Sequence, residues 1–313
     1  GQMVGEPLPA IFRPRVTARA VRVLQGHHVV DVELRGVSED LPRVGTGPPA
    51  GRHLAPPVSL ERHLDLGLGD QHLLTSVLAV AIGVDPATLL ASQAIVPIDF
   101  DELEVAGALH GAPLRVVKCV TNDVRVPADA EVVIEGRLLP GVRETEGPFA
   151  EFPQYYGPAG QREAIAVDAI TTRSAPIFHT IVSASMEHLL LGAIPREATI
   201  VALLQRSFPN VVDVHLSQGG VCRYHLYVQI RKRHEGEARN IIAGAFSAHA
   251  DIKQVIVVDD DVDVHDPTAV EWAVATRFQA SRDLVILPGA LGSKLDPSAA
   301  DGISDKWGLD ATM

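Results

Sequence analysis

Cysteine is nearly absent: Cys119 and Cys222 are the only two in 313 residues. Two thiols cannot build a disulfide framework, and they cannot hold a zinc ion without other ligands. Their scarcity fits a reducing compartment, and no charged-then-apolar leader pattern opens the sequence, so a cytoplasmic location is expected. Aromatic residues make up only 4%, so a core must draw on Val, Leu, Ile and Ala. No apolar run reaches the ~18–20 residues of a membrane-spanning helix; the longest, around Leu73 to Val84, is interrupted by Thr75 and Ser76. Basic charge is also short: 27 Lys and Arg face 39 Asp and Glu, for a net charge of −12. Nucleic-acid binding needs clustered Lys and Arg on phosphates, and this balance argues against it. The one basic run, Arg231-Lys-Arg233, ends a strand-like segment and reads as a solvated strand end. Gly-rich phosphate loops of either common kind are missing.

What is present is ordinary globular composition, 46% hydrophobic and 21% charged, in a chain long enough for two domains. Val16–Leu24 and His28–Leu34 predict two β segments, followed by a Gly- and Pro-rich loop over 37–58. Leu73–Ile82 predicts a buried strand. Asp85-Pro86 has the form of an N-cap followed by Pro at the first helical position, opening a helix to about Ser92. Asp99 is a candidate cap for a second helix, from about Asp101 to His110, stopped by Gly111. Leu114–Val120, Glu131–Leu138, Ala164–Thr172 and Pro176–Ser183 are strand-like. The pattern then changes. Helices are expected at about Ala198–Arg206, Glu235–His249 and Pro267–Thr276, and strands at Val211–Leu216, Arg223–Ile230, Val255–Val258 and Asp283–Leu287. The expected fold class is α+β: a split β-barrel over 1–188, then an α/β domain over 193–313.

One segment carries unusual chemistry. Glu144-Thr-Glu146-Gly-Pro-Phe-Ala-Glu151-Phe-Pro sets three acids around Gly-Pro inside a region of strands. Carboxylates five residues apart point to opposite faces of a regular strand and lie about 140° apart on a helix. Gly147 and Pro148 break either regularity, so a bend can bring Glu146 and Glu151 to one pocket. There one carboxylate can raise the other's pKa and yield a neutral proton donor. An acidic surface turn is the competing reading, and on composition alone it is the simpler one. A second acidic run, Asp259-Asp-Asp261 with Asp263 and His265, lacks the glycine and terminal glutamate of an EF-hand and reads as a solvated strand-to-helix loop. His110, His179 and His188 have no identifiable partners in the sequence.

From Ala79 to His179 the chain resembles the UbiD-like, prenylated-FMN-dependent carboxy-lyases. The resemblance runs through Ile82-Gly-Val-Asp-Pro86, Asp101-Glu-Leu-Glu-Val-Ala-Gly107, Val117-Lys-Cys119, Pro127-Ala-Asp-Ala-Glu131, Glu146-Gly-Pro-Phe149 and Tyr155-Tyr156. It resumes in Pro209–Leu216, Val257–His265 and Gly302–Thr312. The resemblance implies reversible non-oxidative decarboxylation of an aromatic or α,β-unsaturated acid. The flavin, made by a flavin prenyltransferase, acts as electron sink, and a glutamic acid reprotonates the carbon left behind. It implies a Glu-Arg-Glu set in which Glu151 is the proton donor and Glu146 partners the arginine. Arg35, followed 17 residues later by Arg52-His53, matches that arginine. His53 and Glu102 match ligands of a divalent metal, Mn or Mg. Ala91 and Ser92 match residues whose carbonyls approach a potassium ion. Arg52 and Lys306 match residues near the cofactor.

The departures carry their own expectations. Val30 stands where the family has a metal-binding asparagine, and valine cannot ligate. The family's N-terminal domain and C-terminal tail find no counterpart here, so a separate subunit is a possible substitute. A non-catalytic or regulatory subunit with weakened cofactor binding is the alternative function. A homo-oligomer is expected, with the apolar helix face of Ile241, Ile242 and Phe246 as a candidate interface.

Overall fold

The computed structural model describes residues 21–25, 28–32, 77–97 and 100–313. Helix α1 (Pro86–Ala91) opens as its sequence dictates: the Asp85 carboxylate accepts from the Ala87 and Thr88 N–H groups, and Pro86 occupies the first turn, where no donor is missed. Helix α2 (Glu102–His110) is capped by Asp101, whose carboxylate accepts from Leu103 N–H at 2.9 Å; Asp99, the expected cap, lies outside the described residues. Gly111 ends it in the left-handed region at φ 66°. His110 Nε2 lies 2.9 Å from Asp85 Oδ1, which ties the end of α2 to the start of α1.

Among the described residues, the strands of the first half are β1 (Val21–Gln25), β2 (His28–Val32), β3 (Val77–Ile82), β4 (Val116–Lys118), β5 (Arg125–Pro127), β6 (Val132–Glu146), β7 (Phe149–Ala150), β8 (Tyr156–Gly157) and β9 (Gly160–Thr172). Strand β6 is the centre of an antiparallel sheet in the order β3-β6-β9, while β1–β2, β4–β5 and β7–β8 are two-stranded ribbons. β6 runs well past Leu138: the Pro140-Gly141 pair, a turn signal in the sequence, sits in a register shift between Leu138 and Arg143, with Gly141 at φ 72°. The expected strand Pro176–Ser183 does not form; those residues run without regular structure to the start of the next helix. Glu135 on β6 is 1% exposed, and its carboxylate accepts from Val120 N–H, Thr121 N–H and the Thr121 hydroxyl, which fastens the β4–β5 loop over the sheet.

The second half begins with α3 (Met186–Ser207), about twice the length its expected core of Ala198–Arg206 suggested, because Pro195 is accommodated inside it. Then come β10 (Val211–Leu216), β11 (His225–Ile230), α4 (Glu237–Ala248), β12 (Gln254–Asp259), α5 (Pro267–Arg277), α6 (Ala280–Asp283), β13 (Leu284–Leu291) and β14 (Ile303–Asp310). They form one mixed sheet in the order β10-β11-β12-β14-β13, parallel in its middle and antiparallel at both edges. The principal core joins α3 and α4 to this sheet, and a smaller core joins α5 to its other face. Ile241 and Ile242 are fully buried and Phe246 is 7% exposed. That helix face packs on the chain's own sheet and is not an interface; each such side chain contributes roughly 1.5–3 kcal/mol. Gly308 on β14 admits α4 closely, since a Cβ there would fall 2.4 Å from Ile242 Cγ2. The acidic loop after β12 is neutralised internally, with Arg277 within 3.1 Å of Asp259 and 2.6 Å of Asp261, and His265 3.0 Å from Asp213.

Candidate active site

The β6–β9 ladder closes on the pair Glu146 and Gly160. There β6 ends and Gly147 adopts φ 81°, a region that an L side chain rarely enters; the following Gly147–Pro148 bond is cis. The β7–β8 hairpin pairs Phe149 with Gly157 and Ala150 with Tyr156. Glu151 follows directly: its N–H donates to the Tyr155 carbonyl at 2.9 Å, and its own carbonyl accepts from Gln154 N–H at 3.0 Å. Gln154 closes this tight loop at φ 67°. The chain bends at Gly147-Pro148, with Glu146 at the entry of the hairpin and Glu151 in its loop, but Glu146 is not among the residues that line the Glu151 cavity described below.

Glu146 is largely buried, with 17% of its side chain exposed. One oxygen, Oε2, lies 3.3 Å from Arg162 Nε. The other, Oε1, is buried and has no hydrogen-bond partner among the described residues. A carboxylate oxygen without a donor in such surroundings costs free energy, so this position calls for a further donor. Glu151 lines a cavity of about 470 Å3 with Ala150, Gln154, Tyr155, Tyr156 and the segment Val182–Ser185. That facing segment is held in an unusual shape. Ala184 sits at φ 61°, its N–H donates to His188 Nδ1 at 3.1 Å, and Ser185 caps α3 by accepting from His188 N–H at 3.3 Å. His188 thus has a structural partner, as does His179, 3.3 Å from Glu187.

The remaining expected site residues are scattered. Arg35, Arg52 and His53 lie outside the described residues. Val30 pairs with Val23 in the β1–β2 ribbon. Glu102 is the first residue of α2 and is half-buried. Ala91 is buried at the end of α1, where its carbonyl accepts from Ala94 N–H at 2.9 Å. Ser92 caps that helix; its hydroxyl donates to the Leu89 carbonyl at 2.7 Å, and its carbonyl accepts from Gln93 Nε2 at 3.3 Å. Lys306 is 2% exposed in β14, and its ammonium donates to the Ala250 carbonyl at 2.7 Å. Burial lowers the Lys306 pKa, and Asp251 opposes that shift. Among the described residues no three His, Cys, Asp or Glu side chains converge as a metal site, and no helix is long and apolar enough to cross a membrane.

Two family models divide the chain between them. The 3-octaprenyl-4-hydroxybenzoate carboxy-lyase Rift-related domain matches residues 73–186, and the C-terminal domain of the same family matches 189–311. The chain belongs to the UbiD carboxy-lyase family. Its α+β architecture agrees with solved members. The FMN complex of the UbiD-class enzyme HmfF from Pelotomaculum thermopropionicum superposes with a TM-score of 0.75 at 55% identity, covering 76% of this chain and 54% of that one. Vanillic acid decarboxylase of Sedimentibacter hydroxybenzoicus in its open form has a TM-score of 0.70 at 32% identity, covering 76% and 52%. Among curated relatives, anhydromevalonate phosphate decarboxylase of Methanothermobacter thermautotrophicus is 44% identical over 236 residues, 75% of this chain and 56% of that protein. The chain therefore spans about half the length of the relatives it matches.

Within this UbiD-family chain, two features escaped the reading of the sequence. Arg162 approaches Glu146 because it stands two residues beyond Glu146's ladder partner Gly160, a diagonal cross-strand relation that becomes visible only once the full length of β6 is known. The wall formed by Val182–Ser185 depends on a left-handed alanine, for which the sequence carries no signal.

Proposed function

We propose that the chain reversibly decarboxylates an aromatic or α,β-unsaturated carboxylic acid with prenylated FMN, and that Glu151 is the proton donor. The observation that carries this reading is the hairpin. It joins a half-buried acid, one oxygen of which is buried without a partner among the described residues, to a second acid that lines a cavity. When bound, prenylated FMN supplies the electron sink for loss of carbon dioxide. Glu151 delivers a proton to the carbon from which the carboxylate departs. Glu146 orients an arginine, for which Arg35 is the candidate; its guanidinium would satisfy Oε1 and hold the substrate carboxylate through paired N–H donors. Tyr155 and Tyr156 bring aromatic side chains to the same cavity, in keeping with a flat, unsaturated substrate.

The same reading assigns Arg52, Ala91, Ser92 and Lys306 to cofactor binding, with a potassium ion near the carbonyls of Ala91 and Ser92, and His53 with Glu102 to an Mn or Mg ion. The hard oxygen and imidazole donors suit those divalent ions. A flavin prenyltransferase would supply the cofactor, and a homo-oligomer would form, with a separate subunit as the other possible partner. The valine at position 30, where the family carries a ligating asparagine, favours a second reading: a subunit with weakened cofactor binding. Co-production with a flavin prenyltransferase separates the two. A phosphate-bearing flavin that copurifies, with carbon dioxide released from a panel of unsaturated acids, supports the enzyme. Protein that stays flavin-free and inactive beside an active prenyltransferase overturns it.

A further inference from the structure

Glu146 and Glu151 are five residues apart, yet different parts of the molecule hold them. Glu146 is fixed by the β6–β9 ladder of the first half. The residue after Glu151 belongs elsewhere: Phe152 is 6% exposed and, among the described residues, is the one buried member of the principal core that precedes residue 189. Its ring meets the Tyr224 ring edge-on, with centroids 5.6 Å apart, and the Arg223 guanidinium carbon lies 4.9 Å from its centre.

Arg223 is built to hold that ring. It is 7% exposed, and its guanidinium fills a slot that Gly192 of α3 leaves open; a Cβ at Gly192 would fall 1.9–2.1 Å from the guanidinium atoms. Nη1 donates to the Cys222 carbonyl at 3.3 Å. Burial, reinforced by neighbouring Arg196, lowers the Arg223 pKa to about 10, so it stays cationic near neutral pH. The backbone that aims it is strained: Val221 and Cys222 both adopt left-handed φ, 52° and 54°. Two such residues in sequence persist only where the surroundings over-determine them. Here Cys222 N–H donates to the Ser217 carbonyl and Tyr224 N–H to the Gly220 carbonyl, both at 2.9 Å.

We infer that Phe152, gripped between Arg223 and Tyr224, is a positioning residue that fixes Glu151 to the second half of the molecule. The inference rests on Glu151 as proton donor. The placement of Glu151 relative to Glu146 then depends on how the two halves sit together, with Gly147–Ala150 as the joint. Leu295, packed against the principal core, adds a second tether beside Gly157 and the Glu151 side chain.

The test uses flavin-loaded protein with Phe152→Leu, Arg223→Lys and Glu151→Gln. Hydrogen exchange over residues 147–157 is read beside kcat, KM and flavin content. Phe152→Leu is expected to speed exchange at the Glu151 amide about tenfold, while exchange in β11 and β12 is unchanged. Its kcat should fall about 10–100-fold, with KM within about threefold, because a donor misplaced by an ångström loses that much. Arg223→Lys, which keeps the charge but not the planar stack, should fall between Phe152→Leu and wild type on both readouts. If Phe152→Leu does not fold, Arg223→Lys alone decides. Folded variants with wild-type exchange and kcat overturn the clamp. Glu151→Gln separates the two ideas: full activity there refutes the donor assignment, whereas an inactive Glu151→Gln beside a fully active Phe152→Leu refutes only the clamp.

Discussion

The Glu151 side chain runs close over Gly157. A Cβ at that position would stand 3.2 Å from Glu151 Cγ and 3.7 Å from Leu295 Cδ2, with the Phe149 carbonyl oxygen 3.8 Å away. Gly157→Ala must therefore push the acid by a few tenths of an ångström. Turnover should drop about tenfold while the melting temperature stays close to wild type. Steady-state kinetics of the flavin-loaded variant would check this, and unchanged turnover would mean that the acid is not held by that contact. Cys119 is a simpler case. Burial raises its pKa, helped by the neighbouring Glu135 carboxylate, to about 11. At pH 8 little thiolate exists, so iodoacetamide should label it far more slowly than a free cysteine, as read by mass spectrometry of the native protein. Labelling at the free rate would contradict the burial.

Elements were legible where the controlling residues are local. Asp85-Pro86 and Gly111 announced the ends of α1 and α2, since caps act within one turn. Longer-range facts were hidden. β6 was cut short at Leu138 because Pro140-Gly141 signals a turn, and only its pairing with β9 carries it onward. Pro176–Ser183 has strand-like residues but pairs with no strand among the described residues. β14 went unseen because Ile303–Asp310 mixes Gly308, Asp305 and a buried Lys306 into a strand, and its burial comes from α4 and β12. Of the site, the Glu146–Glu151 bend was readable from Gly147-Pro148, whereas Arg162 and the Ala184 wall were not.

Two element-level tests follow from these contacts. Gly136 lies in β6 where a Cβ would strike the Ala166 carbonyl oxygen of β9 at 2.5 Å. Gly136→Ala should destabilise the ladder by about 1–3 kcal/mol, measurable by chemical denaturation. The loop before β14 is fastened by Asp296, 2.7 Å from Lys253. Burial pushes the Asp296 pKa upward, but Lys253 and Ser298 outweigh it and the net shift is downward. A carboxylate with a depressed folded pKa adds stability that is complete above its unfolded value, near 4, and is lost as pH falls through the folded value. Asp296→Asn should therefore cost stability at pH 7, and its deficit against wild type should shrink below about pH 4. A deficit that is constant from pH 7 to pH 2 would contradict the ion pair.

At the scale of the whole molecule, a β-rich half and an α/β half meet beside the Glu146–Glu151 hairpin, and this chain spans about half the length of the relatives compared above. Its net charge of −12 is spread over a protein whose one basic run, Arg231-Lys-Arg233, is engaged with acids: Arg231 with Asp260, Lys232 with Glu235 and Arg233 with Glu237. The decisive step is the delivery of a single proton by Glu151. It is tested by incubating flavin-loaded wild type and Glu151→Gln with an accepted acid in deuterated water, and following carbon dioxide release and deuterium at the product carbon. Wild type should release carbon dioxide and label that carbon. Glu151→Gln should retain the flavin and the fold but lose turnover by about 10²–10⁴-fold. Near wild-type release and labelling by Glu151→Gln would contradict the account.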